Sequence, residues 1–209
     1  QPVIHLDKNE KLKGLNFLDT LYQAIIKKIV LRITYKWFTS ADENTFAFHP
    51  YILKEFNNRW FLVGRKKNNA PVSNLPLDRI IALDFDFQAA FTTTPFDAEK
   101  FYKNVVGVTV NTGLQPRRIE LWVDRINAPY VLTKPLHNSQ RLTRTNDDGS
   151  ILIHLFLIEN YELHRLLLGF GCGLEVISPA GLRHTMIKNL KECLAQYEDK
   201  NKEEMPPAV

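Results

Sequence analysis

The chain has little cysteine: Cys172 and Cys193 are the only two in 209 residues, and neither stands at metal-ligand spacing from other ligands. That excludes a disulfide scaffold or a zinc finger and fits a reducing compartment, where each thiol reads as a small buried hydrophobe. Long apolar runs are also missing. No stretch approaches the ~18 residues of a membrane-spanning helix, and the start lacks the basic-then-apolar order of a secretory signal. These absences point to a soluble, cytoplasmic protein without a membrane partner. Neither sign of charge dominates; a net charge of +4 permits an anionic partner without requiring one.

Catalytic signatures are equally sparse. There is no Gly-x-Ser-x-Gly elbow and no His-Glu-x-x-His. The run Gly169-Phe-Gly-Cys-Gly173 follows a helical pattern and precedes a strand pattern, the reverse of a phosphate loop, so it reads as a helix C-terminus. His154 and His164 have no Cys or acid cluster at ligand spacing and read as structural or exposed. Glu159 and Glu162 read as a solvated face. No enzyme, cofactor or metal follows from these residues.

What the chain does have is 44% hydrophobic residues, enough for a substantial core, and clear periodicity. Residues 1–14 are polar and Gly-punctuated and read as a linker; beginning at Gln1, the chain reads as a fragment lacking an N-terminal part. Leu15, Leu18, Tyr22, Ile25, Ile26 and Ile29 recur at helical spacing, so an amphipathic helix of about four turns is expected to lie across a sheet. Residues 30–36 alternate, with Leu31, Ile33 and Tyr35 on one face and Arg32, Thr34 and Lys36 on the other. Further strands are expected at 46–54, 59–64, 72–75 and 80–87. Asn57-Asn58 marks a two-residue hairpin, because asparagine tolerates positive φ. A leading helix with five short antiparallel strands is the pattern of a small barrel, here covering residues 15–90.

Residues 91–116 form a connecting segment with a short helix at 96–102. Strand 117–123, helix 126–134, strands 140–145 and 151–158 around the Asp148-Gly149 turn, helix 161–170 and strand 174–177 give the order βαββαβ, the split arrangement of a ferredoxin-like domain. Ser178-Pro179 reads as the start of a final helix whose buried face carries Met186, Ile187, Leu190, Leu194 and Tyr197. That second domain spans 117–198, and the charged, Pro-rich tail 199–209 reads as disordered. The fold class is α+β.

Three linked signals carry a resemblance. Trp60-Phe61-Leu62 stands where the WYL domain of bacterial transcriptional regulators has Trp-Tyr-Leu, with Pro50-Tyr51-x-Leu53 before it and Leu77-Asp78-Arg79-Ile80 after it. The resemblance implies an Sm-like barrel followed by the ferredoxin-like WYL C-terminal extension. It also implies a sensory or effector module joined to an N-terminal winged helix-turn-helix, which residues 1–209 do not contain, and a homodimer. Two departures stand out: Phe61 replaces the family's tyrosine, and Ser73-Asn74-Leu75 replaces Arg-x-Phe, removing one arginine. Trp60 and Leu62 alternate as core residues.

The constellation most suited to chemistry is basic and aromatic: Tyr35, Lys36, His49, Tyr51, Arg59, Arg65, Lys66, Ser73, Asn74 and Arg79, drawn from different strands of one barrel. Arginine offers a planar donor fork to phosphate and tyrosine a surface on which bases stack. The expected ligand is single-stranded DNA or an anionic nucleotide. The alternative is a dimerisation or interaction module with no small ligand, favoured by exposed apolar positions on the extension.

Overall fold

Alternation at 30–36 is realised as β1 (Val30–Lys36), with Leu31, Ile33 and Tyr35 fully buried and Arg32 and Lys36 exposed. It is followed by β2 (Glu43–Phe56), β3 (Arg59–Arg65), β4 (Ser73–Pro76), a 3-10 turn at Leu77–Arg79 and β5 (Ile80–Asp86). The computed structural model describes residues 13–38, 41–67, 70–91 and 95–198, and divides the chain into two units, Gln1–Phe101 and Tyr102–Val209. The expected tail, and all but Lys13 and Gly14 of the expected linker, lie outside the described residues.

In the first unit the strands pair antiparallel in the order β4-β3-β2-β1-β5. Asn57 and Asn58 turn β2 into β3 with φ of 50° and 61°, and the Asn58 amide donates to Glu55 Oε1 at 2.5 Å. β2 serves two ladders: residues 43–48 pair with β1 and 49–56 with β3, with a bulge between Pro50 and Ile52. The ladder ends at β4 and β5, which do not pair, so the sheet is open and not the closed barrel expected from the strand count. Four-residue β4 ends at Pro76, which has no amide hydrogen, and the 3-10 turn leads straight into β5.

Cross-strand partners share a face. Leu31 opposite Phe48 and Phe85, and Leu62 opposite Leu53 and Leu75, therefore point inward together, beneath α1 (Leu18–Lys27) with its buried Leu21 and Ala24. The helix is rotated from the expected face: Leu15, Tyr22 and Ile26 are exposed, while Leu18, Leu21 and Ile25 meet the core.

The second unit contains β6 (Arg117–Val123), α3 (Ala128–Thr133), β7 (Arg141–Thr145), β8 (Ile151–Leu157), α4 (Tyr161–Leu168), β9 (Leu174–Ser178) and α5 (Ala180–Glu198); α2 (Ala98–Tyr102) precedes it. Its sheet runs β7-β8-β6-β9, all antiparallel, with the expected element order. Inward-facing Ile119, Leu121, Ile153 and Leu155 are buried, as are Val131 of α3, Leu163 and Leu167 of α4 and Leu182 of α5.

Four expectations are corrected here. Ser178 closes β9 and α5 begins at Ala180, after a cis Ser178-Pro179 bond. Of the apolar face assigned to α5 only Met186 is buried; Ile187, Leu190, Leu194 and Tyr197 are exposed, because α5 runs on past the sheet it packs against. Both cysteines are exposed, Cys172 in the turn before β9 and Cys193 on α5. Glu159 and Glu162 are engaged, not merely solvated: Glu159 pairs with His164 at 2.8 Å, and Glu162 accepts from the Thr109 hydroxyl at 2.8 Å and its amide at 3.2 Å.

Candidate ligand-binding site

The ten candidate residues fall on two faces of the first unit. Tyr35 points inward at the end of β1, its ring edge-on to Trp37 at 4.7 Å and 6.3 Å from Phe46. Lys66, just past β3, lies over Phe46 at 4.1 Å and Trp37 at 5.5 Å. Arg79, on the 3-10 turn, stacks its guanidinium on Phe38 at 3.9 Å and faces the Tyr35 hydroxyl without hydrogen-bonding geometry. Burial pushes the Tyr35 phenol up to about 12, against the opposing pull of the arginine, so it remains a neutral hydroxyl.

This rim gathers two cations and four aromatic rings. Among the described residues no carboxylate lies within ion-pair reach of Arg79, and its buried Nε has no hydrogen-bond partner. Asp78, next in sequence, pairs with Arg59 at 3.4 Å instead. Arg59 thus has an internal anion, whereas Arg79 is held by the face of one ring, Phe38.

His49, Tyr51, Arg65 and Asn74 lie on the other face. His49 opposes Arg65, and Val63 opposes Asn74, so these side chains share the outer face of β2, β3 and β4. Phe91 meets His49 at 5.6 Å and Tyr51 at 6.3 Å; Phe96 stacks on Tyr51 at 5.3 Å. The segment after β5 therefore covers this group, leaving the Tyr51 hydroxyl buried without a hydrogen-bond partner and His49 only 8% exposed. Burial pushes the His49 imidazole below its usual range. Lys36 joins neither group: it opposes Glu43 on the outer side of β1, away from Tyr35. Ser73 opposes Gly64 and faces inward, apart from Asn74.

Sequence reasoning missed Trp37, Phe38, Phe46, Phe91 and Phe96. The aromatic pair Trp37-Phe38, continuing a strand into a polar turn, was a readable signal; Phe91 and Phe96 reach the site only through tertiary packing.

The WYL domain family matches residues 16–85 and the WCX domain family residues 115–194. The chain carries a WYL domain followed by a WCX domain. Among solved structures, proteasome accessory factor B/C (PafBC) of Arthrobacter aurescens is similar at 17% identity, with a TM-score of 0.36, over 92% of this chain and 29% of that one. A CRISPR Cas-related protein is similar at 10% identity, with a TM-score of 0.51, over 86% of this chain and 50% of that one, a likeness of fold alone. This chain thus spans half or less of either structure's length. No curated protein matches it.

Within the WYL domain the signature triplet sits in β3, where Leu62 is fully buried in the core and Trp60 packs against it. Phe61, in the tyrosine's place, is buried on the opposite side, beside Pro76 of β4. Among the described residues no helix is long and apolar enough to cross a membrane, and no cluster of three or more His, Cys, Asp or Glu residues could hold a metal.

Proposed function

We propose that this WYL–WCX chain is the ligand-sensing module of a cytoplasmic transcriptional regulator, a homodimer whose N-terminal helix-turn-helix domains bind DNA. The ligand is single-stranded DNA or an anionic nucleotide, and it engages the Tyr35–Lys66–Arg79 rim of the WYL domain. The observation that carries this reading is Arg79: a half-buried guanidinium stacked on Phe38, with no acidic partner among the described residues. A phosphate oxygen supplies the acceptor that Arg79 lacks, and the surrounding rings offer surfaces for a base. Binding alters an attached DNA-binding domain only through unequal affinity for two arrangements of it. We read the first unit as an opened Sm-like sheet and the second as a ferredoxin-like domain.

The test is fluorescence anisotropy of short labelled single-stranded DNA across a salt series, with Arg79→Ala alongside. Three or four phosphate contacts give a log-log slope of about −2 to −3. Binding with that slope, weakened by Arg79→Ala, supports the reading; no binding at low salt removes single-stranded DNA and leaves a nucleotide, tested by ligand-induced thermal stabilisation.

A second reading, a dimerisation module without a small ligand, is favoured by α5. Ile187, Leu190, Leu194 and Tyr197 are exposed at 3-4-3 spacing, the seam of a helix pair. Sedimentation separates the two readings: a dimer broken by Leu194→Asp, in a chain indifferent to nucleotides and oligonucleotides, supports the second.

A further inference from the structure

The helices of the WCX unit pack against one face of its sheet, leaving the other open. The register writes out that open face. Arg118 opposes Phe156; Glu120 opposes His154, which opposes Arg141; Trp122 opposes Leu152, which opposes Arg144. Arg141 and Arg144 are three residues apart and would point to opposite faces of a regular strand. The bulge between Leu142 and Arg144 turns both to the open side.

Charge on this face is unevenly compensated. Glu120 pairs with Arg118 at 2.9 Å, and Glu175, beside Trp122, pairs with Arg183 at 2.5 Å. Arg141 spends its guanidinium on the carbonyls of Asn138 and Gln140, which are neutral. Among the described residues neither Arg141 nor Arg144 has a carboxylate within ion-pair reach, so the β7 edge keeps two uncompensated positive charges.

Flat side chains occupy the two central strands: Phe156, 46% exposed, and His154 and Trp122, both partly buried but reaching the surface. Phe156 and Trp122 lie two pleats and one strand apart, ~14 Å by strand geometry, with His154 between them. Several flat platforms on the middle strands of a four-stranded sheet, flanked by arginines, form a surface on which successive unpaired bases stack while the backbone follows the basic edge.

We propose that the open face of the WCX sheet binds single-stranded nucleic acid, with bases on Phe156, His154 and Trp122 and phosphates along Arg141 and Arg144. This surface lies wholly within the second unit and does not depend on the WYL-domain site. The experiment uses the full chain carrying Arg79→Ala, which weakens the first site, with labelled 12-mers of single-stranded DNA and RNA. Adding Phe156→Ala weakens binding about fivefold or more, and adding Arg144→Ala lowers the salt slope by ~0.7. Both side chains are exposed, and circular dichroism checks that the fold is kept. Photocrosslinking of a 4-thiouridine oligonucleotide is expected to label the peptides carrying Trp122 and Phe156. Labels confined to the first unit, or affinities unmoved by both substitutions, overturn the proposal. So does a change in sedimentation without one in oligonucleotide affinity, which makes the face a protein contact.

Discussion

Replacing Gly64 by alanine tests how closely β2 and β3 approach at the bend. A Cβ built on Gly64 falls 2.6 Å from Cε1 of Phe48 and closer still to the His49 carbonyl oxygen, where ordinary contact begins near 3.4 Å. Neither neighbour yields readily. Phe48 is fully buried in the core, and Gly64 is paired on both sides, with Pro50 of β2 and Ser73 of β4. Overpacking a core costs ~1–3 kcal/mol and occasionally more, and displacing backbone belongs at the upper end. We expect a loss of ~3 kcal/mol, which for a unit of about 100 residues lowers Tm by ~12–24 °C. Urea denaturation followed by tryptophan fluorescence reads it, since Trp37 and Trp60 lie in this unit. Gly181→Ala is the control: its Cβ would meet nothing within 4 Å on α5, so it should lose nothing and gain up to ~1 kcal/mol. A Gly64→Ala loss below ~1 kcal/mol refutes the close approach.

Leu62→Ala, at a fully buried core position, should cost ~2–5 kcal/mol in the same assay, whereas a loss under ~1 kcal/mol would place Leu62 outside the core. Tyr35→Phe should leave stability unchanged or raise it, because the buried hydroxyl has no hydrogen-bond partner; a loss above ~1.5 kcal/mol would reveal one. His49 and His137 are both held below the usual histidine range by burial, so the unfolded chain binds protons that the folded one resists. Stability should be on a plateau above pH ~6.5 and fall as pH drops below it; equal urea midpoints at pH 7.5 and 5.5 would contradict this.

The strands were legible because alternation is local. The strands at 30–36 and 117–123 appear with the expected limits, and the Asn57-Asn58 turn was fixed by the conformational tolerance of asparagine. What covers a face was not legible. Leu21 and Ala24, not Tyr22 and Ile26, meet the core, because the sheet beneath α1 selects one stripe of a helix that is apolar over more than one side. The grouping of the candidate residues was half legible. Residue types pointed to Arg79 and Tyr35, and strict alternation could already have parted Tyr35 from its neighbour Lys36. The bulges after Pro50 and Leu142 could not be foreseen, since an inserted residue shifts the parity of a strand without changing its composition.

The length of β2 has a consequence of its own. Fourteen residues of extended chain would reach ~46 Å if straight. A unit of about 100 residues has a radius of gyration near 13 Å, so an equivalent sphere is only ~34 Å across. The strand cannot fit its own unit without turning a corner, and Pro50, the bulge beside it and the side-chain-free Gly64 across from it supply that corner. One ribbon thereby serves two ladders, and His49 and Tyr51 stand where it passes from one to the other.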